Sequence, residues 1–308
     1  MPSSSSPFNR HFSRRRFLRA GLYAGAGLAL YSGEIERHWI EVTERNFFLS
    51  GLPPAFEGMR IVQISDIHLD EFTEPFFLRH VVDRINRIEP DAVFLTGDFV
   101  TAALGIKHIP PLGSSRFARG AAWQCANILT GLECKALYAV LGNHDFSVGA
   151  KEVTAALVAK GITVLRNASA PIEKAGGRIW LSGVDDPLEG HPNPEVAIPE
   201  SIRNVPNEPV ILLCHGPDFA DRLLTHPAGQ AVDLMLSGHS HGGQIRLPLL
   251  GAMVLPPMGR KYIEGWFRLG RLQLYVNRGI GAVGIPFRLN CPPEITVITL
   301  RSANFAGR

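Results

Sequence analysis

Cysteine is scarce in this chain: Cys125, Cys134, Cys214 and Cys291 are the only four in 308 residues. They form no CxxC pair, which excludes a disulfide framework and the usual thiolate zinc spacing. Buried thiols are expected, with a Cys125–Cys134 bridge left open for an exported chain. A basic stripe interleaved with aromatics is also missing. The formal charge of +3 rests on an N-terminal cluster, Arg10, Arg14, Arg15, Arg16 and Arg19. Without those five the chain would be slightly acidic, so no nucleic-acid partner is expected. Nor is there an apolar N-terminal run of the roughly 20 residues that span a bilayer; Ala20–Ser32 supplies thirteen. With no internal repeat or second composition regime, one domain after the N-terminal segment is expected. The 45% apolar and 19% charged residues allow a sizeable core.

The block Ser13-Arg14-Arg15-Arg16-Phe17-Leu18 resembles the twin-arginine export signal, and a weakly apolar Gly/Ala-rich stretch follows it. That resemblance implies the twin-arginine export machinery as a partner and a periplasmic or cell-envelope location. A disordered basic tail is the plainer alternative. No A-x-A cleavage site lies near Gly33, so residues 1–33 read as an export signal or as a retained tether making peripheral contact with the inner membrane.

Beyond Glu34 the pattern predicts an α/β fold. Short branched runs at Met59–Ser65, Ala92–Thr96, Ala136–Leu141, Ile179–Val184, Val210–Cys214 and Val232–Ser237 read as buried strands. Leu78, Val81, Val82, Ile85 and Ile88 recur at helical spacing, and further helices are expected around Phe117–Leu129, Lys151–Lys160 and Asp218–Leu224. Arg271–Asn277 and Ile295–Leu300 read as strands with no helix between them, which predicts some antiparallel pairing.

Five polar blocks follow these strands: Asp66 and His68 (SDIH), Asp98 (TGDF), Asn143, His144 and Asp145 (GNHD), His215 (CHGPD), and His239 with His241 (GHSH). Each is weak alone, because a lone histidine is more often a surface or core residue than a ligand. All five sit just past a strand's C-terminal end, where open α/β sheets bind ligands. Turn chemistry accounts for Gly97, Gly142 and Gly238 but not for the histidines. Carboxylate, amide oxygen and imidazole together suit Mn, Fe or Zn better than an all-oxygen calcium cage. Two divalent ions are the expected cofactors.

Together DIH, GDF, GNHD, the His before Gly, and GHSH resemble the five-motif pattern of calcineurin-like metallophosphoesterases, over Met59–Leu300. GHSHGGQIRLP, GVDDP, YVNRGIG and PPEI look like a bacterial branch with exported phosphodiesterases and relatives that cleave UDP-diacylglucosamine in lipid A synthesis. The resemblance implies two packed mixed β-sheets flanked by helices in four layers, with a dinuclear site at the strand rim. It places residues 59–308 in the phosphoesterase domain and 34–58 in a linker and lead-in. By the same resemblance Asp66, His68 and His241 hold one metal, Asn143, His215 and His239 the other, and Asp98 bridges both. A metal-bridging hydroxide is then the nucleophile, and His144 stabilises the transition state or protonates the leaving group.

Many relatives place an acidic residue three positions after the bridging Asp to orient that histidine, whereas Thr101 stands here. Asp145 is the nearest alternative acid, or else a turn former. Substrate choice is expected from Ala102–Arg119, with Lys107, His108, Pro110, Pro111 and Arg116, and from Leu247–Phe267, where an apolar stretch leads to Arg260, Lys261 and Tyr262. The second stretch can hold a lipid-linked substrate or simply cover the core. Arg278 and Arg288 are phosphate clamps or structural cations. A nucleotide, phosphoprotein or cell-wall phosphate suits the same metals, and a non-catalytic metal-dependent binding module is the remote alternative.

Overall fold

Strands rich in branched residues can bury both faces when a layer covers each one, and this chain builds four layers that way. A computed structural model describes residues 14–69, 72–102, 115–203 and 205–303. The elements begin with helix α1 (Arg14–Leu30), β1 (Glu41–Leu49), β2 (Arg60–Ile64), α2 (Pro75–Asn86), β3 (Ala92–Leu95), α3 (Ser115–Leu129), β4 (Leu137–Ala139) and α4 (Asn143–Val158). They continue with β5 (Thr163–Val164), β6 (Ala168–Lys174), β7 (Gly177–Gly183), α5 (Pro194–Ala197), β8 (Val210–Leu213), α6 (Phe219–Thr225) and β9 (Val232–Ser237). Last come β10 (Arg246–Leu247), β11 (Gly251–Ala252), β12 (Gly265–Leu269), β13 (Leu272–Val276) and β14 (Glu294–Ser302).

Two six-stranded mixed sheets result, ordered β1-β14-β2-β3-β4-β5 and β12-β13-β9-β8-β7-β6. In the first, β2, β3, β4 and β5 run parallel while β14 pairs antiparallel with β2. In the second, β7, β8, β9 and β13 run parallel, with β6 and β12 antiparallel at the edges. Alternation along each strand divides the core. Val62 and Ile64 of β2 meet Leu78, Val81, Val82 and Ile85 of α2, whereas Ile61 faces the other sheet. Similarly, Ile211 and Leu213 of β8 point between the sheets, and Val210 and Leu212 point outward towards Phe219 and Leu223 of α6. Gln63 crosses the inner layer, donating to Thr96 Oγ1 at 3.2 Å and to the Ser237 carbonyl at 2.9 Å.

The segment 34–58, expected to be a linker and lead-in, contributes strand β1 to the first sheet. β1 runs parallel to β14 from Glu41↔Glu294 to Leu49↔Ser302. As an edge strand it leaves polar side chains in water, so EVTERNFFL lacks the density of a buried run. Helix α4 likewise starts at Asn143 rather than Lys151. Residues 143–148 carry no helical apolar stripe, and Gly149, at φ 140°, kinks the helix. The β6 and β12 edge strands and the short β10–β11 hairpin also escaped the apolar pattern. The four thiols are free, with Cys134 only half-buried.

Phe47 of β1 is buried between the sheets while Phe48 is partly exposed. Phe47→Ala should lower unfolding free energy by about 3–5 kcal/mol, and Phe48→Ala by about 0.5 kcal/mol or less, measured by urea denaturation. Equal, small losses would show that 34–58 is not integral to the fold.

Candidate metal centre

The rim where β2, β3, β4, β8 and β9 end is held in a conformation that L-residues resist. Asp66, His68, Asp98, His239 and His241 have φ of 51°, 47°, 55°, 70° and 51°. Such backbone costs on the order of 1–3 kcal/mol per residue and persists only where surroundings enforce it. Five of the seven expected ligands carry it, which makes this rim a candidate functional site. Enforcement comes from main-chain bonds between loops. Asp66 N–H donates to the Gly97 carbonyl at 2.9 Å, and His68 N–H to that of Asp98 at 3.0 Å. His239 N–H donates to the Asp66 carboxylate at 2.9 Å, and His144 N–H to Asp98 Oδ1 at 2.9 Å. Gly97 permits the close approach: at its φ of 99° a Cβ would lie 2.6 Å from the Gly142 nitrogen.

Two triads result, Asp66/His68/His241 and Asp98/His215/His239, each with ligand atoms within 4.8 Å of one another. A third group joins His68, Asp98 and His144. His215 Nε2 lies 3.1 Å and His68 Nε2 3.4 Å from Asp98 Oδ2, while His241 Nε2 lies 3.3 Å from Asp66 Oδ1.

Outer contacts aim the rings. His215 Nδ1 donates to the Thr96 carbonyl and His239 Nε2 to that of Pro257, both at 2.7 Å. A carbonyl cannot donate, so in each neutral ring the inward nitrogen bears a lone pair. Those nitrogens, His215 Nε2 and His239 Nδ1, stand 3.2 Å apart, and His68 Nε2 stands 3.1 Å from His241 Nε2. Tetrahedral ligands at zinc–nitrogen lengths sit about 3.3 Å from each other. Lone pairs converging at that spacing fit a cation between them. Asn143 Oδ1, buried and without a hydrogen-bond partner, fits as another donor.

Electrostatics prepares the same set. Burial lowers the His68 pKa to about 3 and the His239 pKa to about 4, and takes His241 well below the ordinary value, leaving three neutral imidazoles. Burial alone would raise Asp98, but His215, His144 and His68 hold it well below the carboxylate range. In the protein alone burial opposes protonation of His215, yet Asp98 and Asp66 raise it well above normal, so it favours the positive charge that a cation otherwise provides.

Asp145 requires a correction. Its carboxylate accepts from the amides of Asp98 (2.8 Å), Phe99 (2.9 Å), Val100 (3.4 Å) and Gly142 (2.9 Å), and none of its bonds reaches His144. It binds the Asp98 loop to the start of α4 because main-chain donors from both converge on it. His144 Nδ1 instead accepts from the Ala102 N–H at 2.9 Å, so the neutral ring's proton sits on Nε2. The Thr101 hydroxyl lies 3.2 Å from His68 Nδ1 and orients that ring.

Arg278 is corrected too, since its guanidinium pairs with Glu294 at 3.1 Å and Glu41 at 3.0 Å, joining β14 to β1. Arg288 is fully buried, donates to the carbonyls of Gly281, Cys291 and Arg278, and lies 3.5 Å from His241 Nδ1. It is a structural cation. Arg260 is exposed in the turn after Pro257, anchored through its N–H to Asp218 at 3.0 Å. Lys107, His108, Pro110 and Pro111, and the side chain of Arg116, lie outside the described residues. Sequence reasoning missed the Thr96 and Pro257 carbonyls, which any residue type supplies and no motif announces.

A family model described as calcineurin-like phosphoesterase matches residues 59–243. The uncharacterized metallophosphoesterase YkuE of Bacillus subtilis is 35% identical over 309 residues, covering 96% of this chain and 100% of that protein. Phosphodiesterase YaeI of Escherichia coli is 31% identical over 299 residues, covering 94% and 99%. The UDP-2,3-diacylglucosamine pyrophosphatase LpxG of Chlamydia trachomatis is 27% identical over 324 residues, covering 87% and 92%.

Calorimetric titration with Mn²⁺ should show two sites, both weakened in Asp98→Asn, with His241→Ala weakening one far more than the other. Thr101→Val should lower affinity about 10–100-fold by freeing the His68 ring. At 100 times Kd the metal should add about 2.7 kcal/mol of stability, removed by chelation. One binding event unaffected by Asp98→Asn would contradict the shared carboxylate.

Proposed function

The chain belongs to the calcineurin-like metallophosphoesterases, and on that footing we propose that it hydrolyses a phosphodiester or pyrophosphate at this rim. It is a hydrolase of phosphoester bonds, and its family uses divalent metals. The convergence of four imidazole nitrogens on Asp66 and Asp98 carries the proposal. Asp66, His68 and His241 would hold one cation and Asn143, His215 and His239 the other, sharing Asp98; the mixed N/O donors favour Mn, Fe or Zn. Bound there, the cations supply Lewis acidity, neutralising phosphoryl charge and acidifying water.

His144 is the residue that moves a proton. Its Nδ1 is engaged by the Ala102 amide, so Nε2 offers a hydrogen to the leaving oxygen or to a phosphoryl oxygen. Burial around the rings excludes bulk water and strengthens that interaction. Arg260, exposed beyond the His239 loop, is the remaining candidate for substrate phosphate.

A lipid-linked nucleotide pyrophosphate such as UDP-diacylglucosamine is the substrate class we favour. The likeness to LpxG supports it, as does the apolar hairpin that follows His241 directly. The likeness to a phosphodiesterase favours a nucleotide, phosphoprotein or cell-wall phosphate as the second reading. Export through the twin-arginine route to the cell envelope is proposed from the Arg14–Leu18 block. No described helix is long and apolar enough to cross a membrane.

The Mn²⁺-loaded protein should cleave a chromogenic phosphodiester, and His144→Ala should lower kcat by about 10²-fold or more with metal stoichiometry unchanged. Oxygen from labelled water should appear in the phosphate product. A trapped phosphoenzyme would overturn direct attack by water, and loss of metal in His144→Ala would recast that residue as a ligand.

A further inference from the structure

Large apolar side chains stand in solvent along a band that adjoins the metal centre. Leu249 is 106% exposed, Leu250 74% and Val254 78%. A loop that merely covered the core would turn these inward. The hairpin β10–β11 begins just after Gln244, whose N–H donates to the His241 carbonyl at 2.9 Å. Beside it, Gln244 Nε2 holds the carbonyls of Val283 and Ile285 at 3.1 Å each, and Arg246 N–H holds that of Leu289 at 2.9 Å. Arg288 N–H then reaches the Ser32 carbonyl at 3.0 Å, Arg37 pairs with Glu74 at 2.8 Å, and the His38 ring lies 5.7 Å from Phe76. Exposed Ile285, Trp39 and Phe76 lie on the segments joined in this way. These segments run into α1, which buries no residue and carries Arg14, Arg15 and Arg19 ahead of its apolar half.

We propose that this band docks on an anionic phospholipid bilayer: the α1 arginines meet headgroup phosphates while the hairpin and the aromatics enter the interfacial layer. The metal centre then faces the membrane, and a lipid-linked phosphate reaches it without leaving the bilayer. The inference rests on the lipid-linked reading above. Charge decides the occupant, because cations beside aromatic and aliphatic side chains complement an anionic interface. One apolar anchor alone binds marginally, whereas two signals with a basic cluster hold. The two elements here are α1 and the hairpin.

The test uses full-length, metal-loaded protein co-sedimented with vesicles of phosphatidylcholine, with or without phosphatidylglycerol. Binding should require the anionic lipid and weaken in high salt. Leu249→Ser, Leu250→Ser and Val254→Ser combined should cut partitioning by about tenfold or more, and Arg14→Glu, Arg15→Glu and Arg19→Glu combined should remove the anionic preference. Both variants should keep the parent melting temperature and turnover of a soluble phosphodiester. Equal partitioning of parent and hairpin variant would overturn the proposal. So would a concentration-dependent dimer, formed without lipid and dissolved by the hairpin substitutions, because the band would then pair two chains. Turnover of a detergent-dispersed lipid-linked pyrophosphate separates the two readings. Turnover without vesicle binding sinks the docking surface alone; the expected vesicle pattern without that turnover supports the surface and sinks the substrate reading.

Discussion

One buried carboxylate fixes the position from which Asp98, the aspartate expected to be shared by the metals, projects. Asp145 gathers the amides of residues 98–100 and of Gly142, so the loop after β3 and the start of α4 become one unit. Without it four buried main-chain donors would lose the acceptor they share, a desolvation cost. Asp98 accepts the His144 amide from the same unit, and Asp66 accepts that of His239 from the other sheet. The ligand cluster is therefore a property of several loops at once.

Ring orientation follows the same logic at one remove. The outer nitrogens of His215 and His239 are taken by the Thr96 and Pro257 carbonyls, and the Thr101 hydroxyl stands at the outer nitrogen of His68. Thr96 belongs to the first sheet's loops and His215 to the second's, while Gln63 crosses between the sheets beneath them. Relative displacement of the sheets would misdirect the lone pairs. Left-handed backbone at five of the expected ligand positions is the conformational cost of that convergence, and a cation bound only by the folded state would offset it. The β10–β11 hairpin, the 283–289 loop and the segment 31–39 are tied to the His241 side by main-chain hydrogen bonds and carry exposed apolar groups, while the side chains of the centre are buried.

Much of this was legible in the amino-acid order. Dense branched runs located β2, β3, β4, β7, β8 and β9, and the polar block after five of them located the rim, because a parallel strand buried on both faces stays largely apolar until it ends, with isolated exceptions such as Gln63 in β2 and Asp233 in β9. β1 was illegible for the complementary reason: an edge strand half in water has a mixed composition, and only its nine-residue pairing with β14 reveals it. The motif GNHD made Asp145 look chemical, while its actual partners are main-chain amides up to 47 residues away. Arg278 lies in a motif-rich stretch, yet Glu41 and Glu294 claim its charge.

By itself the sequence determined the family and the placement of the candidate donors at strand ends, since these follow from residue identity and local pattern. Tertiary structure alone decided which nitrogen of each histidine faces the centre, which residue holds His144, and which cations are spoken for. Those outcomes depend on carbonyls, amides and carboxylates brought together from distant loops, and nearly every residue type carries the same main-chain groups.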